Sequence, residues 1–251
     1  MQFVYHPNSQ RIIFGAGTLK QLPDEVAALG IKSPMVITTE FQKELGTSAI
    51  ELLGDSFDCA LYDKAVMHVP RDTINDIMAK IKAHGSDGCV CLGGGSTIGL
   101  GKAVALETGL PSIVIPTTYA GSEMTPIWGI TEDGIKTTGR DMKVLAKTVI
   151  YDPELTFSLP DFISGPSGVN AIAHCVEALY AENKNPVTSL MAEEGIRALA
   201  ESLPVVVKDP ENITARSNAL YGAWLAGTVL GTAGMAIHHK LCHTLGGSVN
   251  L

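Results

Sequence analysis

Short apolar runs alternate with amphipathic stretches over the first part of the chain. Between two of these runs, apolar residues 74–81 recur at helical spacing, and Asp72 and Thr73 precede them as the predicted N-terminal cap. Strands that are apolar throughout and separated by helices indicate a parallel sheet covered on both faces. The pattern predicts four such strands, at residues 35–39, 88–92, 112–115 and 148–150.

The pattern changes after Asp152-Pro153. From Gly168 to Thr244 the chain is rich in Ala and Leu at helical spacing, with breaks at Asn185-Pro186 and at residues 208–210. We therefore predict an α/β N-terminal domain with a parallel sheet at residues 1–155, followed by an all-α C-terminal domain at residues 156–251. Because the chain stops directly after a predicted helix end, without a polar tail, we expect the second domain to be incomplete.

The composition excludes several classes of protein. With 251 residues, 45% of them hydrophobic and 18% charged, the chain has the composition of a compact folded protein. A formal net charge of −8 argues against nucleic acid or an anionic membrane as a partner. The most apolar run, residues 224–237, is short for a membrane span and is interrupted by Gly and Thr, which indicates a buried helix.

The N-terminal residues and the cysteines bear on the compartment. The N-terminus lacks the basic start and the apolar core of a secretory signal. No two cysteines form a CxxC pair, so we predict small buried residues in a reducing environment and a cytoplasmic protein. The cysteines are Cys59, Cys89, Cys91, Cys175 and Cys242.

A glycine-rich turn follows the second predicted strand. Three glycines, Gly93 to Gly95, lead into Ser96-Thr97 and a helix predicted at residues 98–108. Glycines let the backbone approach a phosphate closely, the N–H groups of the first helical turn face an anion, and the two hydroxyls can donate or cap the helix. The turn matches neither the GxGxxG nor the Walker A fingerprint, and alone it is equally typical of a plain strand-to-helix connection.

A second polar loop, residues 116–126, follows the next strand. Ligands of open α/β sheets bind at the carboxyl ends of the strands, so this loop favours a ligand site over a plain turn. Glu40 directly follows the first strand and is placed to accept hydrogen bonds from an adenosine ribose, or else it is a solvated loop carboxylate.

Histidines and an asparagine recur at helical spacing in the second half. Asn170 and His174 are four residues apart, as are His239 and His243, and His238 adjoins the second pair. Two such pairs on facing helices can bind a divalent metal, but Asn170 stands where an acidic ligand is expected. The alternative for each histidine is a hydrogen-bonded helix residue.

These motifs together resemble the iron-containing alcohol dehydrogenase superfamily. The resemblance rests on Gly93–Gly99, on Pro116-Thr117-Thr118 and on the helix from Asn170 to His174. Within the superfamily, residues 116–125 and 238–247 are similar to the maleylacetate reductase branch, and the match runs over the whole chain. The family architecture is a dinucleotide-binding α/β domain followed by a helical domain.

The resemblance implies reduction of maleylacetate to 3-oxoadipate by NADH or NADPH, in the degradation of aromatic compounds. The implied partner is thus a small anionic substrate, and a homodimer is expected. Glu40 favours NADH by repelling a 2′-phosphate. The residues implied in cofactor binding are Glu40, Gly94, Gly95, Ser96, Thr97, Thr117, Thr118 and Thr125.

The resemblance also implies roles in the helical domain. His243 is the expected donor or general acid, with His174 and His239 as further catalytic residues. Asn170, His238 and Lys240 are expected to bind substrate, although Lys240 is more typical of a solvated helix lysine. Metal-dependent relatives have Asp at the position of Asn170, whereas this branch carries Asn and is regarded as metal-free. We therefore expect no bound metal.

Three alternatives stay open at this point. A metal-dependent alcohol or glycerol dehydrogenase has the same fold but the acidic ligand that Asn170 replaces. A cyclising lyase like 3-dehydroquinate synthase shares the fold and NAD use, but residues 239–243 do not resemble that branch. A chain lacking part of its helical domain can be an inactive nucleotide-binding fragment, with apolar helix faces exposed.

Overall fold

The computed structural model describes residues 2–233 and Leu241, and these form two compact units. The α/β unit consists of Gln10–Thr117 and Pro126–Leu155. The helical unit consists of the described residues from Thr156 onward, together with Thr118–Thr125 and residues 2–9. The two short segments contact each other within this unit: Asn8 Nδ2 donates to the Met124 carbonyl at 3.2 Å.

A six-stranded parallel sheet forms the centre of the α/β unit within residues 10–155, with strand order β1-β8-β5-β4-β2-β3. A separate antiparallel hairpin pairs β6 with β7. The elements of this unit are β1 (Arg11–Phe14), α1 (Leu22–Ala28), β2 (Pro34–Ile37), α2 (Lys43–Leu53), β3 (Ala60–Tyr62), α3 (Arg71–His84), β4 (Gly88–Gly93), α4 (Gly95–Thr108), β5 (Ser112–Pro116), β6 (Ile127–Glu132), β7 (Ile135–Arg140) and β8 (Thr148–Tyr151).

The four predicted strands are β2, β4, β5 and β8, and the parallel sheet is confirmed. Every residue of these four strands is buried, which is why their sequences are apolar throughout. The buried side chains of β4 and β5 pack with those of α1 and α2, including Val26 and Leu53. Because all six strands run the same way, their carboxyl ends meet at one edge, where Gly93 lies beside Pro116.

Two predicted helix starts were wrong. Helix α3 begins at Arg71 with Pro70 as its N-cap, so Asp72 and Thr73 lie inside the first turn. Helix α4 begins at Gly95, three residues before the predicted start, with Gly94 as its N-cap and no capping side chain. The hydroxyls of Ser96 and Thr97 therefore do not cap this helix.

The helical unit contains three long helices within residues 156–233: α5 (Asp161–Tyr180), α6 (Pro186–Lys208) and α7 (Ile213–Ala233). The helical prediction is confirmed as far as residue 233, and so are both predicted breaks; of the predicted helical residues 234–244, all but Leu241 lie outside the described part of the chain. The helices approach closely because glycines face large side chains: a Cβ on Gly168 would lie 2.3 Å from Leu203. No helix in the described part of the chain is long and apolar enough to span a membrane.

Candidate functional site

The glycine turn is fixed by its own neighbours at the edge of the sheet. Gly93 ends β4 with φ +149°, a conformation that L side chains rarely adopt. A Cβ here would lie 2.6 Å from Thr97 Oγ1 and 2.7 Å from Gln42 Oε1. The Thr117 N–H donates to the Gly93 carbonyl at 3.2 Å, and Gln42 Nε2 donates to Thr117 Oγ1 at 2.9 Å. The turn and the start of the second loop are thus tied together.

Gly95 is different, because no described residue requires a glycine there. A Cβ on Gly95 would meet no described atom within 4 Å, and the residue is exposed as the first of α4. The open space lies over the N-terminus of a 14-residue helix, where free N–H groups attract an anion. The structure therefore leaves space at Gly95 that a ligand can occupy.

The hydroxyl of Thr97 supports the same conclusion independently. Thr97 is fully buried, and its Oγ1 has no hydrogen-bond partner among the described residues. A buried polar group without a partner costs free energy, so such an atom usually meets a ligand or a water. An anion at the start of α4 would provide an acceptor for this hydroxyl.

A cavity of about 930 Å³ opens beside the turn, at the carboxyl ends of β2 and β3. Its size is that of a small-molecule or cofactor site. Two of its lining side chains are apolar and unusually exposed: Phe41 at 100% and Met67 at 72%. The lining residues are Thr39, Glu40, Phe41, Asp63, Lys64, Ala65, Val66, Met67 and Ser96. The cavity thus offers apolar surfaces for a flat ring and connects with the glycine turn through Ser96.

The charges around this cavity are partly paired. Lys43 Nζ contacts Asp63 Oδ2 at 2.9 Å, and the hydrogen bond from Lys43 lowers the pKa of Asp63. Lys64 Nζ lies 3.7 Å from Asp76 in an exposed ion pair that contributes little to stability. Glu40 is exposed, and it adds a second carboxylate to the residues that line the cavity.

In the helical unit, residues 118–125 pack tightly on the helices. The Tyr119 N–H donates to Ser167 Oγ at 3.0 Å, and Gly121, with φ +76°, lies against Gly227: a Cβ on Gly121 would be 2.9 Å from the Gly227 Cα. Thr118 Oγ1 is buried without a partner in the described residues, whereas the Thr125 hydroxyl donates to the Ser122 carbonyl at 3.1 Å. Of these two threonines, only Thr125 has a hydrogen-bond partner for its hydroxyl among the described residues.

The Tyr119 hydroxyl meets a buried guanidinium. Arg216 is fully buried on α7, and its Nη1 donates to Tyr119 Oη at 3.0 Å and to Ser164 Oγ at 3.1 Å. Its other hydrogen bonds go to the carbonyls of Pro210 and Leu159. Arg216 thus joins residues 118–125 to α5 and α7 through neutral acceptors.

The structure places only part of the predicted catalytic set. Asn170 is exposed on α5, and His174, one turn later on the same helix, is 4% exposed. Glu177 is buried a further turn along. His238, His239, Lys240 and His243 lie outside the described residues.

The metal donors can be tested on the described part. Within residues 2–233, no group of three or more His, Cys, Asp or Glu side chains could hold a metal ion. The residue paired with His174 is Asn170, and a neutral amide is a poor ligand for a divalent cation. The predicted donors His239 and His243 lie outside the described residues, so the absence of a bound metal stays a prediction.

Several residues of this site were missed by sequence reasoning. Gln42, Phe41 and Met67 carried no motif, and only their position after β2 and β3 could have indicated them. Arg216 looked like an ordinary helix residue, since a single charge in an Ala-rich helix gives no sign of its burial.

Two family models match the chain. The iron-containing alcohol dehydrogenase model covers residues 9–153, and the C-terminal model of the same family covers residues 165–251. The chain belongs to the iron-containing alcohol dehydrogenase family. The predicted family and the oxidoreductase class are thus confirmed.

The chain is also similar to particular proteins of this family. It is 55% identical over 251 residues to a maleylacetate reductase of Sphingobium indicum, covering 100% of this chain and 71% of that protein. The crystal structure of a maleylacetate reductase from Agrobacterium tumefaciens matches with a TM-score of 0.97 at 51% identity, and covers 100% of this chain and 71% of that one. A putative alcohol dehydrogenase from Ralstonia eutropha JMP134 matches with a TM-score of 0.98 at 55% identity and the same coverage. The α/β and helical architecture is therefore shared with these structures.

Proposed function

We propose that this chain reduces maleylacetate to 3-oxoadipate with NADH or NADPH. The observation that carries the proposal is the identity of about half of all positions, over the whole chain, with relatives named maleylacetate reductase. NAD(P)H use is consistent with membership of the family. The reaction adds a hydride and a proton across a carbon–carbon double bond conjugated to a ketone.

The α/β unit carries the residues proposed to hold the dinucleotide. Its pyrophosphate would lie on Gly94, Gly95, Ser96 and Thr97; the open space at Gly95 and the unpartnered hydroxyl of Thr97 support this. Thr117, Thr118 and Thr125 are proposed to contact the cofactor further along. When bound, the reduced nicotinamide supplies the hydride.

We propose that Glu40 contacts the adenosine ribose and gives a preference for NADH. Its carboxylate lines the cavity next to the glycine turn and would repel a 2′-phosphate. Lys64 lines the same cavity and acts in the opposite direction, which keeps the preference modest. A comparison of the dissociation constants of NADH and NADPH measures the balance.

The helical unit carries the proposed chemistry. Hydride addition builds negative charge on the ketone oxygen of the substrate, and a donor aimed at that oxygen stabilises it. His243 is proposed to donate there or to act as the general acid, with His174 and His239 holding the carboxylates or polarising the carbonyl. Asn170, His238 and Lys240 are proposed as further substrate contacts. A small dianionic substrate suits such a group of donors and cations.

We propose that this reaction runs without a metal ion. The proposal rests on Asn170, which stands where metal-dependent relatives carry an acidic ligand, because a neutral amide binds a divalent cation poorly. Elemental analysis of the protein as purified tests this, because a stoichiometric metal would contradict it. A homodimer and a cytoplasmic location also stay predictions.

The experiment for the catalytic assignment is a comparison of His243→Ala with the parent chain. We expect turnover to fall much more than the affinity for NADH, because His243 is assigned to the developing charge and not to the cofactor. Near-normal turnover of maleylacetate would remove His243 from the mechanism. Oxidation of an alcohol that requires added metal would instead favour a metal-dependent dehydrogenase.

A further inference from the structure

Directly after Ala65, Val66 and Met67, which line one side of the cavity, the chain enters a strained piece of backbone. His68 and Val69 both have positive φ, 65° and 49°, and they are two of the three non-glycine residues with positive φ in residues 2–233. Positive φ is uncommon for any residue with a Cβ and is a genuine outlier for a β-branched residue such as Val69. Such a conformation persists only when the surrounding structure holds it.

One residue of the hairpin of β6 and β7, Thr131, stabilises this conformation by two hydrogen bonds. Thr131 Oγ1 donates to the His68 carbonyl at 2.7 Å, and the Thr131 N–H donates to the Val69 carbonyl at 3.1 Å. The Val69 side chain is 5% exposed and lies close to Gly99 on α4, where a Cβ would be 2.8 Å from Val69 Cγ2. Both carbonyls of the strained pair are therefore fixed by Thr131.

The other end of this segment is fixed to the sheet. The Ala65 N–H donates to the Thr38 carbonyl at 3.1 Å, just beyond the end of β2. Between the two attachments lie Val66 and Met67, which are 46% and 72% exposed and line the cavity. We call residues 65–69 the rim segment. Its central side chains have little packing of their own, so their position depends on the two attachments.

We propose that Thr131 is a positioning residue for the dinucleotide, acting through the rim segment. The inference rests on the proposed function, because it takes the cavity as the place where the adenosine part of the cofactor binds. Thr131 does not line the cavity itself. Its hydroxyl holds the strained carbonyl of His68, and this keeps Val66 and Met67 in place before the ligand arrives. A rim segment that is already ordered before the ligand binds lowers the entropic cost of binding.

The test uses the full chain with Thr131→Val, which keeps the shape of the side chain and the backbone N–H but removes the hydroxyl. We expect the dissociation constant for NADH to rise on the order of fivefold to tenfold, because one hydrogen bond that holds the rim segment is lost. Hydrogen exchange at the amides of residues 66–69 should become faster. Turnover at saturating NADH should stay unchanged, because the reacting groups are untouched.

Two variants serve as controls. Thr131→Ser restores the hydroxyl and should restore both NADH affinity and slow exchange. Thr137→Val makes the same change at an exposed threonine of β7, for which the structure shows no side-chain hydrogen bond, and should behave like the parent.

The outcomes separate this inference from the proposed function. If the parent binds NADH and Thr131→Val binds it equally well, the positioning role is wrong while the proposed function stands. If Thr131→Ser fails to restore affinity, the hydroxyl is not the cause and the inference is also overturned. If the parent binds no dinucleotide, the proposed function fails and this inference fails with it.

Discussion

At the scale of single residues, the two glycines of the turn should respond differently to the same substitution. Gly93→Ala should lower the free energy of unfolding by about 1–3 kcal/mol, because φ is +149° and the new Cβ meets Thr97 and Gln42. Gly95→Ala should leave stability unchanged or raise it by up to about 1 kcal/mol, since the helix gains an alanine in open space.

The Gly95→Ala variant should bind the dinucleotide more weakly even though its stability is unchanged or higher. We expect Gly95→Ala to weaken NADH binding about tenfold, because the methyl group takes the space proposed for phosphate. Urea unfolding and NADH titration of the same samples check both statements. A Gly95→Ala variant with parent affinity would show that no phosphate approaches this residue.

Arg216 shows how much can depend on one buried cation. Arg216→Met should lower the free energy of unfolding by about 3 kcal/mol, because four acceptors in a closed interior lose their donor. Arg216→Lys should recover only part of this, since an ammonium lacks the planar fork.

Arg197 is the matched control, with its ion pairs to Glu194 and Glu201 on the surface of α6. Arg197→Met should change the midpoint of thermal unfolding very little. Equal losses for the two arginines would contradict the role given to Arg216.

At the scale of elements, the start of α6 depends on its capping box. The Asn185 side chain accepts from the N–H groups of Val187 and Thr188, and the Thr188 hydroxyl accepts from the Asn185 N–H. Asn185→Ala should therefore lower the free energy of unfolding by about 1 kcal/mol. Asn185→Asp keeps the acceptor and should retain most of that. Asn183→Ala, an exposed control with one long hydrogen bond, should cost less in the same denaturant titration.

Elements that are long or fully buried could be predicted from the sequence, and marginal ones could not. The break at Asn185-Pro186 could be placed because Asn caps a helix start and Pro suits the first helical position. Proline alone is not enough to indicate a break, since Pro166 and Pro204 lie inside α5 and α6. Strand β3 is three residues long and β1 is four, so their apolar runs are too short to indicate a strand. The hairpin did carry a signal, because an Asp-Gly pair is typical of a two-residue type I′ turn. Asp133 and Gly134 both have positive φ, as that turn requires.

Some parts of the candidate site could likewise be predicted from the sequence, and others could not. The glycine turn and the loop from residue 116 could be found because both follow apolar strands whose carboxyl ends meet. The roles of Gly93 and Gly95 could not be told apart in sequence: a side chain at Gly93 would clash with Thr97 and Gln42, whereas a side chain at Gly95 would meet only open space. Thr131 could not be found at all, because its partners His68 and Val69 are distant in sequence.

At the scale of the whole molecule, the buried cysteines should report on unfolding. Burial raises the pKa of Cys89 and of Cys175 to about 12, and also raises that of Cys91. At neutral pH these thiols are protonated and inaccessible, so iodoacetamide should label them only when the protein opens. Among the four cysteines that the structure describes, half-buried Cys59 should react first, although burial raises its pKa as well. Mass mapping of the labelled sites checks this, and rapid labelling of Cys91 in the native protein would contradict the described core.

The central claim is that this member of the iron-containing alcohol dehydrogenase family is a maleylacetate reductase. The most direct measurement follows NADH and 3-oxoadipate together after maleylacetate is added to the purified chain, treated beforehand with a chelator. The account predicts that one NADH is consumed for each 3-oxoadipate formed and that the chelator has no effect. Binding of NADH without consumption, or activity that returns only with added metal, would contradict it.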